Sequence, residues 1–229
     1  MDRHCKWTCM ILTLQWPGSF CLILNNETIC NLSPDIQNWT IHGLWPIHTG
    51  HCCSCWPIFQ SHLEGLEPEL SKFWPSFLKS TTAFMFWKQE WFKHGTCAAC
   101  DESMGSTQLY FKTALKLRLS LRIESALADG GIKPSCDNAY RHDDLHAALR
   151  PLLGDNCVLQ CVRDEKGHEV WAQLKIYFFR NQTLGCHFKE IGYADKIFQP
   201  SNSSGHPCPT ETPIFYYPIN YKNPKRPCQ

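Results

Sequence analysis

Fifteen cysteines in 229 residues restrict what this chain can fold into more than any other feature. Cysteine at that density, in a composition that is 13% aromatic with a formal net charge of +1, belongs to an oxidised secretory protein whose thiols pair. An odd count leaves at least one thiol free or joined to a second chain, so the expected monomer has a route to a disulfide-linked dimer. Five N-x-S/T sequons, at Asn26, Asn31, Asn38, Asn181 and Asn202, point to the same compartment. Secretion requires a signal peptide, yet no apolar run of that length precedes the first strand, so either the signal has been removed or the chain is shortened. The apolar stretch at 9–16 is too short to span a membrane. In a reduced protein, Cys52-x-x-Cys55 and Cys97-x-x-Cys100, with His48 and His51 close by, would read as a tetrahedral zinc site. The gap between the pairs exceeds the common zinc-ribbon spacing, and no metal or other cofactor is expected.

Two segments carry the chemistry: WTIHGLWP at 39–46 and FWKQEWFKHGTC at 86–97. The first reads as a strand in which Ile41, His42, Gly43 and Leu44 alternate, stopped by Pro46. The second reads as a helix over 84–94. At about 100° per residue, Glu90, Lys93 and His94 fall on one arc of roughly 100°, with Gln89 at its edge. Two imidazoles, a carboxylate and an ammonium provide an acid, a base and two charged stabilisers, a set suited to cleaving a phosphodiester beside a hydroxyl, as RNA offers. The plainer reading is a pair of hydrogen-bonded core histidines among ordinary core aromatics. The joint pattern argues against it, because Glu, Lys and His share one face of an otherwise aromatic helix.

Both segments closely resemble the two active-site signatures of the ribonuclease T2 family of secreted and lysosomal endoribonucleases. QWPGSFC at 15–21, Cys55-Trp56-Pro57, GIKPS at 131–135 and FYYP at 215–218 extend the resemblance over most of the chain. It implies His42 as general acid, His94 as general base, Glu90 and Lys93 as stabilisers of the phosphorane, and single-stranded RNA as the substrate, cleaved without a metal through a 2′,3′-cyclic phosphate. It also implies the disulfides Cys21–Cys30, Cys52–Cys97 and Cys161–Cys208. A second rung, Cys55–Cys100, becomes plausible beside Cys52–Cys97. A fourth family bridge looks lost, with Tyr177 at the position of the partner that Cys186 would need, and Cys5, Cys9, Cys53, Cys136, Cys157 and Cys228 are left unassigned.

Three departures bear on function. Gln89 stands where the family has a third histidine, which weakens phosphate binding and leaves open a secreted ribonuclease-fold binding or signalling protein with reduced catalysis. Ile47 replaces an Asp that reads a purine, and Leu14 replaces a Gln that lines the second base pocket. Trp45, Trp56 and Phe86 are candidate platforms for stacking bases.

Length favours one domain over 1–229, an α+β fold with a central antiparallel sheet flanked by helices and an irregular tail at 219–229. Short helical pieces broken by Pro68 and Pro75 are expected at 59–79, and a long amphipathic helix at 107–128. A further helix is expected at 143–149, a central strand at 170–179 and a Pro/Ser-rich loop at 199–209. At about pH 5 most of the eleven histidines should protonate, moving the charge towards roughly +12.

Overall fold

The computed structural model describes residues 5–24, 29–47, 49, 52–186 and 205–229. Its elements run β1 (Cys9–Gln15), α1 (Pro17–Phe20), β2 (Thr40–Pro46), α2 (Glu67–Phe73), α3 (Ala83–Glu90), α4 (Thr96–Ala98), α5 (Thr107–Ser120) and α6 (Ile123–Asp129). There follow β3 (Ala139–Tyr140), α7 (His142–Leu153), β4 (Cys157–Arg163), β5 (Glu169–Phe179), β6 (His206–Pro207) and β7 (Ile214–Phe215). Among the described residues the strands make one seven-stranded sheet in the order β2-β1-β5-β4-β6, with β7 joining β3 to the start of β5. Every pairing is antiparallel except β5 with β7, so the sheet is mixed at one corner.

The sheet has two unlike faces, because side chains alternate along a strand. Met10, Leu12 and Leu14 of β1 and Leu174, Ile176 and Phe178 of β5 belong to the main core, which also holds Trp39, Ile41 and Leu44 and the helix residues Tyr110, Phe111 and Ala114. On the other face the register sets Ile11 opposite Tyr177, Thr13 opposite Lys175 and Gln15 opposite Gln173. Gln160 of β4 continues that polar row beside Gln173. Thr13, Gln15, Gln160, Gln173 and Lys175 are all buried, which is unusual for such groups and marks this face as more than packing.

Two motifs far apart in sequence close one end of the core. Trp16 donates its indole N–H to the Tyr217 carbonyl at 2.7 Å and packs against Trp39 and Tyr216. A Cβ at Gly18 would strike the carbonyl oxygens of Tyr217 and Pro218, so the WPG turn fits under the FYYP segment only as glycine.

Several elements differ from the sequence expectation. The helix expected over 107–128 is two helices, parted at Leu121, whose φ/ψ of −91°/111° is extended. Buried Arg118 accounts for the break: its guanidinium donates to the carbonyls of Trp39 and Leu121 and pairs with Glu124 of α6. Pro68 begins α2 rather than breaking it, since its missing N–H falls in the first turn. α7 is longer than 143–149 and carries Pro151 within it. The segment 219–229 holds no helix or strand, though Tyr221 is tied to the Ile36 carbonyl at 2.8 Å. Residues 199–204 of the expected loop lie outside the described residues.

Cysteine pairing is fuller than expected. Seven disulfides join Cys5–Cys100, Cys9–Cys186, Cys21–Cys30, Cys52–Cys97, Cys53–Cys55, Cys136–Cys228 and Cys161–Cys208. The rung Cys55–Cys100 is therefore corrected: Cys55 closes on Cys53, and Cys100 takes Cys5. Cys186 does have a partner. Tyr177 faces Ile11 across the sheet, and Cys9 lies two residues along on that same face, so the bridge reaches β1 instead of β5. All four cysteines of the zinc alternative are thus disulfide-bonded. Cys157 is the free thiol among the described residues; it is buried, which pushes its pKa up to about 12 and keeps it from reaching a second chain. Among the described residues no helix is long and apolar enough to cross a membrane.

Candidate active site

His42 owes its position to an irregularity. β1 and β2 pair in register from Met10↔Pro46 to Thr13↔Gly43, after which Leu14 faces Ile41. His42 is the extra residue of a β-bulge, a feature that re-aims a side chain. The simple alternation expected over 41–44 is broken, and the bulge brings His42 and Trp45 onto one side, ring centroids 5.2 Å apart. The backbone is held from below, where Trp74 donates its indole N–H to the His42 carbonyl at 2.9 Å.

The second segment is also irregular. Thr82 caps α3 by accepting from the Met85 amide at 3.2 Å, but the α-helix stops at Glu90 and Trp91–Gly95 form a π-turn. Trp91 explains why: its indole donates to the Trp56 carbonyl at 2.9 Å, and its ring fills the space a Cβ at Gly95 would need. The wider turn places Lys93 and His94 differently from a continuous α-helix over 84–94, and such π-turns recur at functional sites. Lys93 remains exposed while His94 is half-buried.

Trp45 joins the two segments. Its indole N–H donates to Glu90 Oε2 at 2.9 Å, and its ring lies 5.3 Å from that of His94 as well as against His42. Gly43 makes this possible, because a Cβ there would collide with both Trp45 Nε1 and Glu90 Oε2. Phe86 and Phe20 border His42 at 6.1 and 6.5 Å between centroids. From β5, Gln173 Nε2 sits 3.0 Å from His42 Nδ1.

Burial governs the charges. Desolvation, with Lys175 and Lys93 adding to it, lowers His42 to about pKa 4. Desolvation, then His42 and Lys93, lowers His94 to about 3. Glu90 is raised to about 7 by burial, against the opposing pull of the Trp45 hydrogen bond and Lys93. Near pH 5 both imidazoles are therefore largely neutral and the carboxyl largely protonated. The expectation that most histidines charge at that pH fails for these two, because a buried imidazolium beside lysines loses more hydration than it regains.

The site thus gathers two imidazoles and a carboxyl around one indole, with exposed Lys93 near enough to act on their charge. The ribonuclease T2 family model matches residues 7–189. The chain belongs to the ribonuclease T2 family. Ribonuclease T2 of Danio rerio is 34% identical over 221 residues, covering 93% of this chain and 89% of that protein. Ribonuclease Oy of Magallana gigas is 30% identical and covers 95% of this chain and 99% of its own. The crystal structure of human RNase T2 superposes with a TM-score of 0.76 at 31% identity, over 93% of this chain and 99% of that one. The family makes this chain a ribonuclease, with RNA as its substrate class.

Among the residues singled out from sequence, His42, Trp45, Phe86, Glu90, Lys93 and His94 lie together. Gln89 is exposed at the end of α3, beside Glu90. Trp56 sets its ring against that of Trp91 at 5.3 Å, partly buried against the main core. Leu14 points into the main core, so that position lines no base pocket here. Asn31, Asn38 and Asn181 are exposed, while Asn26 and Asn202 lie outside the described residues. Sequence reasoning missed Gln173 and Lys175. The available signal was two polar residues, spaced by two, in the otherwise apolar run VWAQLKIYFF.

Proposed function

We propose that this ribonuclease is a single-domain endoribonuclease of 1–229 that cleaves single-stranded RNA by metal-independent acid–base transesterification. The observation that carries the reading is one indole in contact with both His42 and His94, with Glu90 hydrogen-bonded to that same indole. His94, neutral down to about pH 3, takes the proton from a ribose 2′-hydroxyl. The 2′-oxygen attacks the adjacent phosphorus, the bond from phosphorus to the 5′-oxygen breaks, and His42 gives that oxygen its proton. The products are a 2′,3′-cyclic phosphate and a free 5′-hydroxyl; a water then opens the ring with the two histidines in exchanged roles. A phosphodiester anion bound beside His42 raises its pKa, which suits it to the acid role. Protonated Glu90 donates to a phosphoryl oxygen without repelling it, and Lys93 offsets the developing charge. Trp45 and Phe86 offer aromatic faces to the bases.

Three exposed sequons and seven disulfides support a glycosylated, secreted or lysosomal enzyme working near pH 5. The decisive experiment is cleavage of single-stranded RNA at pH 5 in EDTA. Accumulation of 2′,3′-cyclic ends supports the reading, and cleavage that stops with chelation refutes it. Binding of RNA without turnover would favour the alternative, a secreted binding or signalling protein, which exposed Gln89 keeps in view.

Gln89 gives a graded test. Gln89→His adds an imidazole at the exposed end of α3, where protonation below about pH 6 brings a positive charge near the phosphate. KM for RNA should fall at acidic pH with kcat little changed. If KM is the same at every pH, position 89 does not face the substrate.

A further inference from the structure

Gln173 is buried in the middle of β5 on the polar face of the sheet, and its amide touches the acid imidazole at Nδ1. Its Nε2 is 3.0 Å from His42 Nδ1, while its Oε1 is buried with no hydrogen-bond partner among the described residues. A carboxamide half used in this way is costly as a purely structural choice, since a buried acceptor without a partner forfeits the hydrogen bonds it would make to water. It is useful if the imidazole changes protonation state. In neutral His42, Nδ1 accepts from the Gln173 N–H, so the ring proton resides on Nε2. In the imidazolium Nδ1 carries a proton as well, and a half-turn of the Gln173 amide brings Oε1 round to accept it. Either way Nδ1 stays occupied and Nε2 remains the atom that exchanges a proton with substrate.

We propose that Gln173 is a positioning residue for His42: its amide holds Nδ1 in both protonation states and so fixes Nε2 as the proton-donating atom. The inference rests on His42 being the general acid, as argued above. Neutrality is part of the role. The charged and titratable groups around His42 are Lys175 from β5, Lys93 and His94 from the π-turn, and Glu90 at the end of α3, reached through Trp45. Lys175 and Lys93 disfavour the imidazolium. A carboxylate at position 173 would favour it so strongly that the proton would be held rather than transferred, whereas an amide supports both states about equally. Phe20 of α1, whose ring lies beside that of His42, brings no charge.

The test compares the parent protein with Gln173→Met and Gln173→Glu, using nitrogen-15 NMR of the histidine ring and pH profiles of dinucleotide cleavage. In the parent, His42 should show the Nε2–H tautomer when neutral. Gln173→Met should mix the tautomers and lower kcat by about ten- to a hundredfold with KM within about twofold, the pattern of a lost transition-state interaction. Gln173→Glu, close in shape, should move the His42 titration and the alkaline limb of the profile upward by at least about one pH unit. If Met substitution prevents folding, judged by near-UV circular dichroism, the Glu variant decides alone. An unchanged tautomer and unchanged pH limb in the folded variants would overturn the proposal. Parent protein that cleaves no RNA but has the Nε2–H tautomer fixed by Gln173 would instead sink the functional reading while keeping the contact.

Discussion

Replacing His42 or His94 by alanine is expected to lower RNA cleavage by about two to four decades, the usual scale for loss of a general acid or base. Both variants should lose kcat, and His42→Ala should also raise KM at acidic pH, because a phosphate that raises the His42 pKa is by linkage held more tightly by the imidazolium. The two act on the same bond exchange, so the double variant should be little worse than the poorer single one. Their pH signatures differ. His94 stays neutral down to about pH 3, so removing it deletes the acidic limb, while the alkaline limb belongs to His42 once phosphate has raised its pKa. Initial rates on a defined oligonucleotide across pH 3–8 test this. Near-normal turnover in either single variant would remove that residue from the reaction, and additive losses would show that the two do not act in one step.

The candidate site was legible because its residues lie in two compact segments. WTIHGLWP and FWKQEWFKHGTC each keep their candidate residues within one turn or one strand, where residue type and spacing can be read together. The way those residues meet was not legible. His42 faces Trp45 through a bulge set by the register of β1, and no spacing within 39–46 carries that register. The π-turn at Trp91–Gly95 depends on an indole reaching the Trp56 carbonyl, a contact across 35 residues. Arg118 is similar: amphipathic periodicity runs smoothly through 107–128, and only the tertiary bonds of a buried guanidinium divide the helix. Cysteine count was informative about compartment and silent about partners, since Cys9 and Cys186 are 177 residues apart and are joined by strand register. Gln173 was hidden for the opposite reason. A polar residue in an apolar strand reads as tolerated until the neighbour 131 residues away is known.

Loss of the Cys52–Cys97 bridge should cost stability and activity together. Cys97 lies in α4, immediately after the π-turn that carries Lys93 and His94, and Cys52 lies in the segment that follows β2, the strand carrying His42. The bridge therefore ties both halves of the site to one another. Closing a loop of 45 residues is worth about 4 kcal/mol in the chain-entropy picture. The six remaining disulfides already restrict the unfolded chain, Cys5–Cys100 most directly, so about 2–4 kcal/mol is expected for Cys97→Ser in the oxidised protein. Trp7 also anchors this end by donating to the Cys97 carbonyl at 3.1 Å, which keeps α4 in place and favours folding of the variant at low temperature. What loosens is the spacing between the imidazoles, so kcat should fall even at temperatures where circular dichroism finds the fold intact. The double variant Cys52→Ser/Cys97→Ser should match the single one, because each removes the same bond. Chemical denaturation, kcat on a dinucleotide and peptide mapping of the unreduced parent together decide the matter. Unchanged activity in a variant destabilised by the full amount would mean that the bridge holds the fold but not the site.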